Sequence, residues 1–366
     1  ELSYWEHKSW FSHVDFTVVG SGIVGINCAI SLKEKYPQSN ILILEKGSLP
    51  QGASTKNAGF ACFGSVSEIL SDLHHHTEEE VVQLVQKRWN GIQRLRNLLG
   101  DSAIDFQMNG GHELFPLDQP DFYTKCLQAL PYLNNLLEPV FGQKPFKATQ
   151  NIFHFGNIQE KYLTHQLEGQ LDTGKMMRSL IQKCTTLGIP ILNGISVEDI
   201  EELNQSALIR TTDFEFVTKK VFVATNGFAS KLIKSETVKP ARAQVLITEP
   251  IKNLSFKGTF HFDEGYYFFR NIDYRILFGG GRNLDFETEE TTAFGQTEII
   301  QQKLESLLRE MILPNQSFQI ERRWSGIMGV GAQKSPIVKQ ISNSIACGVR
   351  LGGMGVALGS LVGKEL

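Results

Sequence analysis

Three glycines near the N-terminus have the spacing of a dinucleotide-binding turn. Gly20, Gly22 and Gly25 form the pattern G-x-G-x-x-G directly after a short run of β-forming residues. The first glycine permits a tight turn, the second lets the backbone approach a pyrophosphate, and the third allows close helix–strand packing. A helix that begins at Ile23 and Val24 would add its free N–H groups and positive dipole to the phosphate site.

An acidic residue at the expected distance supports this interpretation. Glu45 ends a second apolar run and lies twenty positions after Gly25, where a carboxylate can accept hydrogen bonds from ribose hydroxyls. Lys46 follows it in the same predicted pocket. The carboxylate would repel a 2′-phosphate, which disfavours NADP. These residues predict a dinucleotide site and leave NAD and FAD open.

The stretch "QGASTKNAGFACFGS" (51–65) favours a flavin, because a NAD enzyme would normally continue into a helix here. It contains "GASTKNAG", which resembles the GAS-x-[RK]-N-[AG]-G signature of FAD-dependent amine and amino-acid oxidases of the D-amino-acid oxidase superfamily. Other stretches share the resemblance in order: "VFVATNGFASKL", "VKPARAQVLITEP", "DEGYYFFR", "RRWSG" and "GMGVALGSLVG". In these motifs the chain is most similar to γ-glutamylputrescine oxidase-type members.

The resemblance implies that this loop covers the pyrophosphate and the flavin edge. Ser54, Asn57 and Ala58 offer a hydroxyl, an amide and a backbone donor there, whereas Lys56 either meets the cofactor or is a solvated cation. The predicted loop contacts are Gly52, Ala53, Ser54, Lys56, Asn57, Ala58, Gly59 and Phe60. Contacts predicted from other segments are Val197, Thr225, Asn226, Gly227 and Gly326.

A second glycine-rich turn precedes the last helical segment. Its predicted flavin contacts are Gly352, Gly353, Met354, Gly355, Val356 and Ala357. A helix that begins here would direct free N–H groups and its positive dipole toward the flavin pyrimidine ring, where reduction builds negative charge. The later apolar residues of the helix are also expected to pack in the core.

The resemblance also implies how the flavin is held. Some relatives attach it covalently through a cysteine or a histidine, at positions that match Gly326 and Lys56 here. Neither residue can form such a bond, so we expect a non-covalent FAD.

On the substrate side, the resemblance implies hydride transfer from the carbon beside an amine to flavin N5. Tyr266 and Tyr267 match a tyrosine over the substrate, and strand alternation lets only one of them face the cavity. Arg350 could bind a carboxylate through two parallel hydrogen bonds or form a surface salt bridge. Met328 and Met354 replace an arginine and a histidine of relatives, which favours a bulkier or less acidic substrate.

The elements that must position these residues predict an α/β fold (α+β overall). A strand–helix–strand pattern occurs at the start of the chain, again at 172–192, and in the last segment. In 240–281, apolar and polar residues alternate as in an antiparallel sheet, and 151–155 is predicted to be a further strand. We therefore expect a Rossmann-like FAD-binding domain with an inserted antiparallel-sheet substrate domain. The predicted FAD-binding domain comprises 1–70, 165–240 and 325–366, and the substrate domain 71–164 and 241–324.

The composition of the chain limits its possible binding partners. A net charge of −3 argues against binding to nucleic acid or to anionic membranes. Five scattered cysteines are typical of reduced thiols in a cytoplasmic protein. The histidine run 74–76 lacks other ligands, so no metal is expected. The sequence predicts a small amine or amino-acid substrate, with O2 or another electron acceptor. Oxidation of a tRNA base and a non-catalytic flavin-binding redox module stay open as alternatives.

Overall fold

The computed structural model describes all 366 residues. The strands are β1 (Val14–Val19), β2 (Ile41–Glu45), β3 (Phe60–Ala61), β4 (Gly111–Glu113), β5 (Phe146–Gln150), β6 (Lys161–His165), β7 (Gly169–Gln170), β8 (Ile191–Asn193), β9 (Val197–Leu203), β10 (Ser206–Thr211), β11 (Glu215–Val223), β12 (Lys239–Thr248), β13 (Thr259–Phe262), β14 (Tyr267–Ile272), β15 (Arg275–Gly280), β16 (Ile320–Val330), β17 (Ile337–Gln340) and β18 (Ile345–Val349).

The helices vary in length from single turns to long amphipathic segments. They are α1 (Tyr4–Glu6), α2 (Ile23–Lys35), α3 (Val66–Leu73), α4 (Glu78–Leu99), α5 (Asp101–Ile104), α6 (Pro120–Phe141), α7 (Thr173–Thr186), α8 (Glu298–Leu307) and α9 (Gly355–Glu365). Short 3₁₀ turns lie at Ala53–Thr55, Asn226–Lys231 and Arg282–Leu284, and π turns at His7–Phe11 and Leu308–Ile312. None of the helices combines the length and the apolar character needed to cross a bilayer.

The first sheet has eight strands, with the order β17-β18-β11-β1-β2-β8 and the β9–β10 hairpin added beside β11. The strands β18, β11, β1, β2 and β8 pair in parallel. β2 is buried along its whole length, as expected for a parallel strand covered on both faces. The segments that follow β1, β2, β11 and β18 therefore meet at the carboxyl edge of one sheet.

The second sheet has eight strands, in the order β16-β12-β15-β14-β13-β4-β6-β5. Its pairs are antiparallel except β13 with β4. One face presents Phe260, Phe269 and Phe278 to α8 and the following π turn. The opposite face turns toward residues 51–60, and we call it the loop-facing surface. By alternation and strand register it carries Val245, His261, Phe268, Arg270, Trp324, Gly326 and Met328, and Glu113 lies beside His261.

These two sheets give the α/β arrangement that the sequence predicts, with two local differences. The sheet piece expected at 151–155 is wrong: Asn151 closes a turn there, its amide donating to the Phe155 carbonyl at 2.8 Å and accepting from the Phe155 N–H at 3.1 Å. The nearby strand is β5. In addition, the expected boundaries near 240 and 325 fall inside β12 and β16, which pair with each other in the second sheet.

Candidate active site

The first glycine turn joins β1 to α2 through very close contacts. Gly20 has φ +105°, a backbone conformation that favours glycine. A methyl carbon added at Gly25 would lie 1.9 Å from the Gly20 carbonyl oxygen, so only glycine allows this approach. The N–H groups of Gly22, Val24 and Gly25 have no hydrogen-bond partner. They are free to bind an anion at the start of α2.

Glu45 lies beside this turn with its carboxylate fixed. Its side chain is buried and accepts hydrogen bonds from the Ser21 N–H and hydroxyl (3.1 and 2.6 Å) and from the Gly47 N–H (2.9 Å). The Ile195 N–H donates to the Glu45 carbonyl at 2.9 Å, which brings the start of β9 at Val197 to the same edge. The neighbouring Lys46 is exposed.

The loop 51–60 is tied to α2 and to itself. The Ser54 hydroxyl accepts a hydrogen bond from the Ile23 N–H at 2.9 Å. The Asn57 amide donates to the Ser54 carbonyl at 2.8 Å and accepts from the Gly59 N–H at 2.8 Å. Asn57 therefore shapes the loop, a role that sequence spacing did not indicate.

Arg270 holds the other end of this loop and was missed in the sequence. It is 3% exposed, and its Nη1 donates to the carbonyls of Ala58, Gly59 and Leu171 at 3.0, 3.2 and 2.6 Å. Burial lowers the pKa of Arg270 to about 10, which still leaves it cationic at neutral pH. The available signal was a charged residue within an aromatic strand, "YYFFR".

The turn after β11 is bonded to the terminal glycine turn after β18. Asn226 Oδ1 accepts from the N–H groups of Arg350 and Leu351 at 3.1 and 3.2 Å. The Gly352 N–H donates to the carbonyl of Gly329 in β16 at 3.0 Å, which links this turn to the second sheet. The Thr225 hydroxyl is buried without a partner, although most buried polar groups find one.

Helix α9 packs tightly between two other helices. A methyl carbon at Gly91 of α4 would lie 1.9 Å from the Ala357 carbonyl oxygen, and one at Gly363 would lie 2.4 Å from the Val24 carbonyl oxygen. The N–H groups of Gly355, Val356 and Ala357 have no hydrogen-bond partner. The N-termini of α2 and α9 therefore lie at the same edge of the first sheet, each with free donors.

These groups fit a dinucleotide with a flavin ring. One set of free N–H groups suits the pyrophosphate, Glu45 suits a ribose, and the other set suits a ring that gains negative charge. The unpartnered Thr225 hydroxyl offers a further polar contact.

Comparison with known proteins identifies the family. A sequence model of the family described as "DAO: FAD dependent oxidoreductase" matches residues 15–366, so the chain belongs to this family of FAD-dependent oxidoreductases. The recognition, the fold class and the FAD cofactor predicted from the sequence are thereby confirmed.

Individual relatives are distant but similar over almost their full length. "Probable oxidoreductase OrdL" of Haemophilus influenzae is 21% identical over 96% of this chain and 81% of its own length. L-proline dehydrogenase from P. horikoshii superposes with a TM-score of 0.77 at 18% identity, covering 96% of this chain and 91% of its own. Glycine oxidase from Geobacillus kaustophilus superposes with a TM-score of 0.75 at 17% identity, covering 95% of this chain and 92% of its own.

Lys56 lies where the loop meets the second sheet. A methyl carbon at Gly326 would be 3.2 Å from Lys56 Cβ, and the Trp324 indole N–H donates to the Lys56 carbonyl at 2.9 Å. Lys56 Nζ lies 5.2 Å from the centre of the Phe294 ring, a cation–π contact.

The structure separates the two tyrosines. Tyr267 is buried and stacks on Phe262 at 5.0 Å, in the core behind the second sheet, so it cannot line the site. Tyr266 is 39% exposed and lies 6.0 Å from the Phe286 ring. Of the predicted pair, only Tyr266 lies outside this core, and its contact with a substrate stays a prediction.

The predicted carboxylate ligand Arg350 has a partner within the chain. Its Nε and Nη2 donate to the Ser335 carbonyl at 3.2 and 3.0 Å. A substrate contact would require the guanidinium to leave this carbonyl, so that role stays a prediction.

The methionines lie close to the terminal turn. Met354 Sδ is 3.9 Å from Cys62 Sγ, and a methyl carbon at Gly353 would be 3.4 Å from Met328 Sδ. No group of three or more His, Cys, Asp or Glu side chains is arranged to hold a metal ion.

A buried acidic cluster at one end of the loop-facing surface was not predicted. Glu113 accepts from the Ser67 N–H at 3.2 Å and from the Ser67 and Ser65 hydroxyls; Glu168 accepts from the Phe63 N–H at 2.6 Å. Burial raises the pKa of Glu113 to about 7 and that of Glu168 to about 8. Both carboxyls therefore change charge near neutral pH.

Proposed function

We propose that this FAD-dependent oxidoreductase oxidises the C–N bond of a small amine or amino acid to an imine. Bound FAD would supply the acceptor, at N5, for the hydride that leaves the carbon beside nitrogen. The observation that carries the proposal is the meeting of two free helix N-termini at one sheet edge, opposite the loop-facing surface.

The residues of the chain would bind the cofactor, orient the substrate and exclude water from the site. The N–H groups at the start of α2 would hold the pyrophosphate, and those at the start of α9 would stabilise charge on the reduced ring. Phe268 and Trp324 provide apolar walls on the loop-facing surface. A substrate held between these walls and the cofactor is positioned for transfer, which needs orientation more than an acid or base.

Anaerobic mixing of the holoenzyme with secondary amines, primary amines and D- and L-amino acids tests this function. We expect at least one class to bleach the flavin absorbance, with an imine-derived carbonyl product after hydrolysis. A flavin that stays oxidised across the whole panel would instead favour the non-catalytic redox module. Salt-sensitive association with tRNA would favour oxidation of a tRNA base.

We also propose that FAD is held without a covalent bond. Gly326 has no side chain, and Lys56 offers only an ammonium group over Phe294. Acid precipitation should release all yellow colour into the supernatant. Colour that stays with the pellet would contradict this.

A further inference from the structure

The turn that precedes α9 is held in place by one side chain from another segment. Asn226, which follows β11, accepts hydrogen bonds through Oδ1 from the N–H groups of Arg350 and Leu351, at 3.1 and 3.2 Å. The Met354 N–H donates to the Leu351 carbonyl at 2.9 Å, and the Leu358 N–H donates to the Met354 carbonyl at 2.9 Å as α9 begins. Asn226 therefore fixes the residues on which the first turn of α9 is built.

Both ends of this contact have a backbone conformation that few residues adopt. Asn226 has φ +46° and Arg350 has φ +64°. Such values are uncommon outside glycine, although asparagine adopts them several times more often than most residues. The segments that follow β11 and β18 thus both pass through the left-handed region, and the asparagine side chain joins them. Local strain of this kind persists only where the surrounding contacts maintain it.

The same asparagine also lies against the second sheet. A methyl carbon added at Gly329 in β16 would be 2.7 Å from Asn226 Oδ1, and one added at Gly227 would be 2.5 Å from the Met328 carbonyl oxygen. The Gly352 N–H donates to the Gly329 carbonyl at 3.0 Å. Asn226 is therefore packed between β16 and the turn before α9, which restricts the position of its Oδ1.

This turn determines the direction of the first N–H groups of α9. Those of Gly355, Val356 and Ala357 have no partner in the chain, and together with the helix dipole they favour negative charge in front of them. The effect falls off within the first turn of a helix, so it depends on the direction in which that turn points. Reduction of a flavin ring at this place builds the negative charge that these groups would stabilise.

We propose that Asn226 is a positioning residue that sets the reduction potential of the flavin. Its Oδ1 fixes the turn before α9, and the turn directs the free N–H groups at the ring, so that reduced flavin is bound more tightly than oxidised flavin. This inference rests on the placement of FAD in the proposed function and adds the residue that tunes the cofactor there.

Midpoint potentials of the holoprotein and of two variants test the proposal. Asn226→Gly keeps the left-handed backbone and removes only the acceptor, whereas Asn226→Ala also disfavours that backbone. We expect each variant to bind reduced flavin about tenfold less tightly relative to oxidised flavin, which lowers the potential of a two-electron couple by about 30 mV. Anaerobic titration with dithionite against a reference dye gives the potential, and urea unfolding gives the stability.

Asn134→Ala is the matched control. Asn134 also binds the backbone with its side chain, because its Oδ1 accepts from the Phe146 N–H at 2.8 Å and its Nδ2 donates to the Phe146 carbonyl at 3.0 Å. It joins α6 to β5, which forms the opposite edge of the second sheet from β16. We expect this variant to lose at least as much stability as Asn226→Gly and to keep the potential of the unaltered protein.

An unchanged potential in Asn226→Gly would overturn the proposal. An equal fall in Asn134→Ala would do the same, because it would trace the effect to a general loss of stability. If Asn226→Ala is isolated without flavin, the Kd values of its apoprotein for oxidised and reduced FAD give the same ratio. Failure of the proposed function has a different signature: the potentials would shift as expected while no amine bleaches the flavin.

Discussion

At the edge of the first sheet, the groups available to the cofactor are mostly backbone N–H groups beside glycines, as at Gly22 and Gly355. On the second sheet, the groups that face the same space are side chains from different strands, such as His261 and Trp324. The first arrangement depends on consecutive residues and on the absence of side chains. The second depends on strand register. One half of the site can therefore vary in chemistry while the other keeps the cofactor in place.

The largest expected effect on flavin binding and stability comes from adding a side chain at Gly25, in the first glycine turn. Gly25→Ala places a methyl group 1.9 Å from the Gly20 carbonyl oxygen, so α2 must move away from β1. We expect loss of bound flavin and a fall of about 3 kcal/mol or more in the free energy of unfolding. Flavin absorbance per protein and urea unfolding measure both.

Gly174→Ala is the control for that change. Its added methyl would meet only the Asp172 carboxylate, at 3.3 Å, near the start of α7. Normal flavin content in Gly25→Ala would contradict the prediction, because it would show that the turn between β1 and α2 accepts a side chain at this position.

The next effect tests the residue that joins the two halves. Arg270→Met removes the side-chain donor from the carbonyls of Ala58, Gly59 and Leu171, of which only Gly59 keeps another donor, the Leu171 N–H. We expect a cost of about 3 kcal/mol of stability and weaker FAD binding. Urea unfolding and FAD titration of the apoprotein measure this. Arg275→Met, which removes a partly exposed pair with Glu321, should cost less than about 1 kcal/mol. Similar losses in the two variants would contradict the role given to Arg270.

A smaller effect concerns the buried carboxyls of the second half. The folded pKa of Glu113, about 7, lies above its unfolded value of 4.5, so folding favours its protonated form. Its contribution is fully present below pH 4.5 and is lost as pH rises through 7. Glu113→Gln should therefore lessen the fall in unfolding free energy between pH 5 and 8 by about 2 kcal/mol. An unchanged pH profile in urea unfolding would show that Glu113 does not titrate there.

The smallest effect is expected at Arg350. Because its guanidinium binds the Ser335 carbonyl, Arg350→Gln should change the KM of an oxidised amine by less than about threefold. Steady-state kinetics decides this. A rise in KM above about tenfold for carboxylate-bearing substrates alone would restore the carboxylate role predicted from the sequence.

The glycine turn, α2 and Glu45 could be predicted because their residues are close in sequence and their spacing follows backbone geometry. Because side chains alternate along a strand, the sequence also predicted that only one of Tyr266 and Tyr267 faces the cavity, although it could not say which one. Glu113, His261 and Arg270 could not be found in this way. They belong to β4, β13 and β14, and their place on one surface depends on the pairing of β13 with β4 and with β14, which no local pattern encodes.

The packing of α9 between α2 and α4 has a consequence for biosynthesis. The phosphate turn at Gly20–Gly25 is synthesised about 330 residues before the start of α9, where we place the flavin ring. A nascent chain that lacks α9 would contain the nucleotide-binding turn but not the N–H groups proposed to contact the flavin ring. Cofactor capture should therefore follow release of this segment from the exit tunnel, and cells short of riboflavin would accumulate full-length apoprotein.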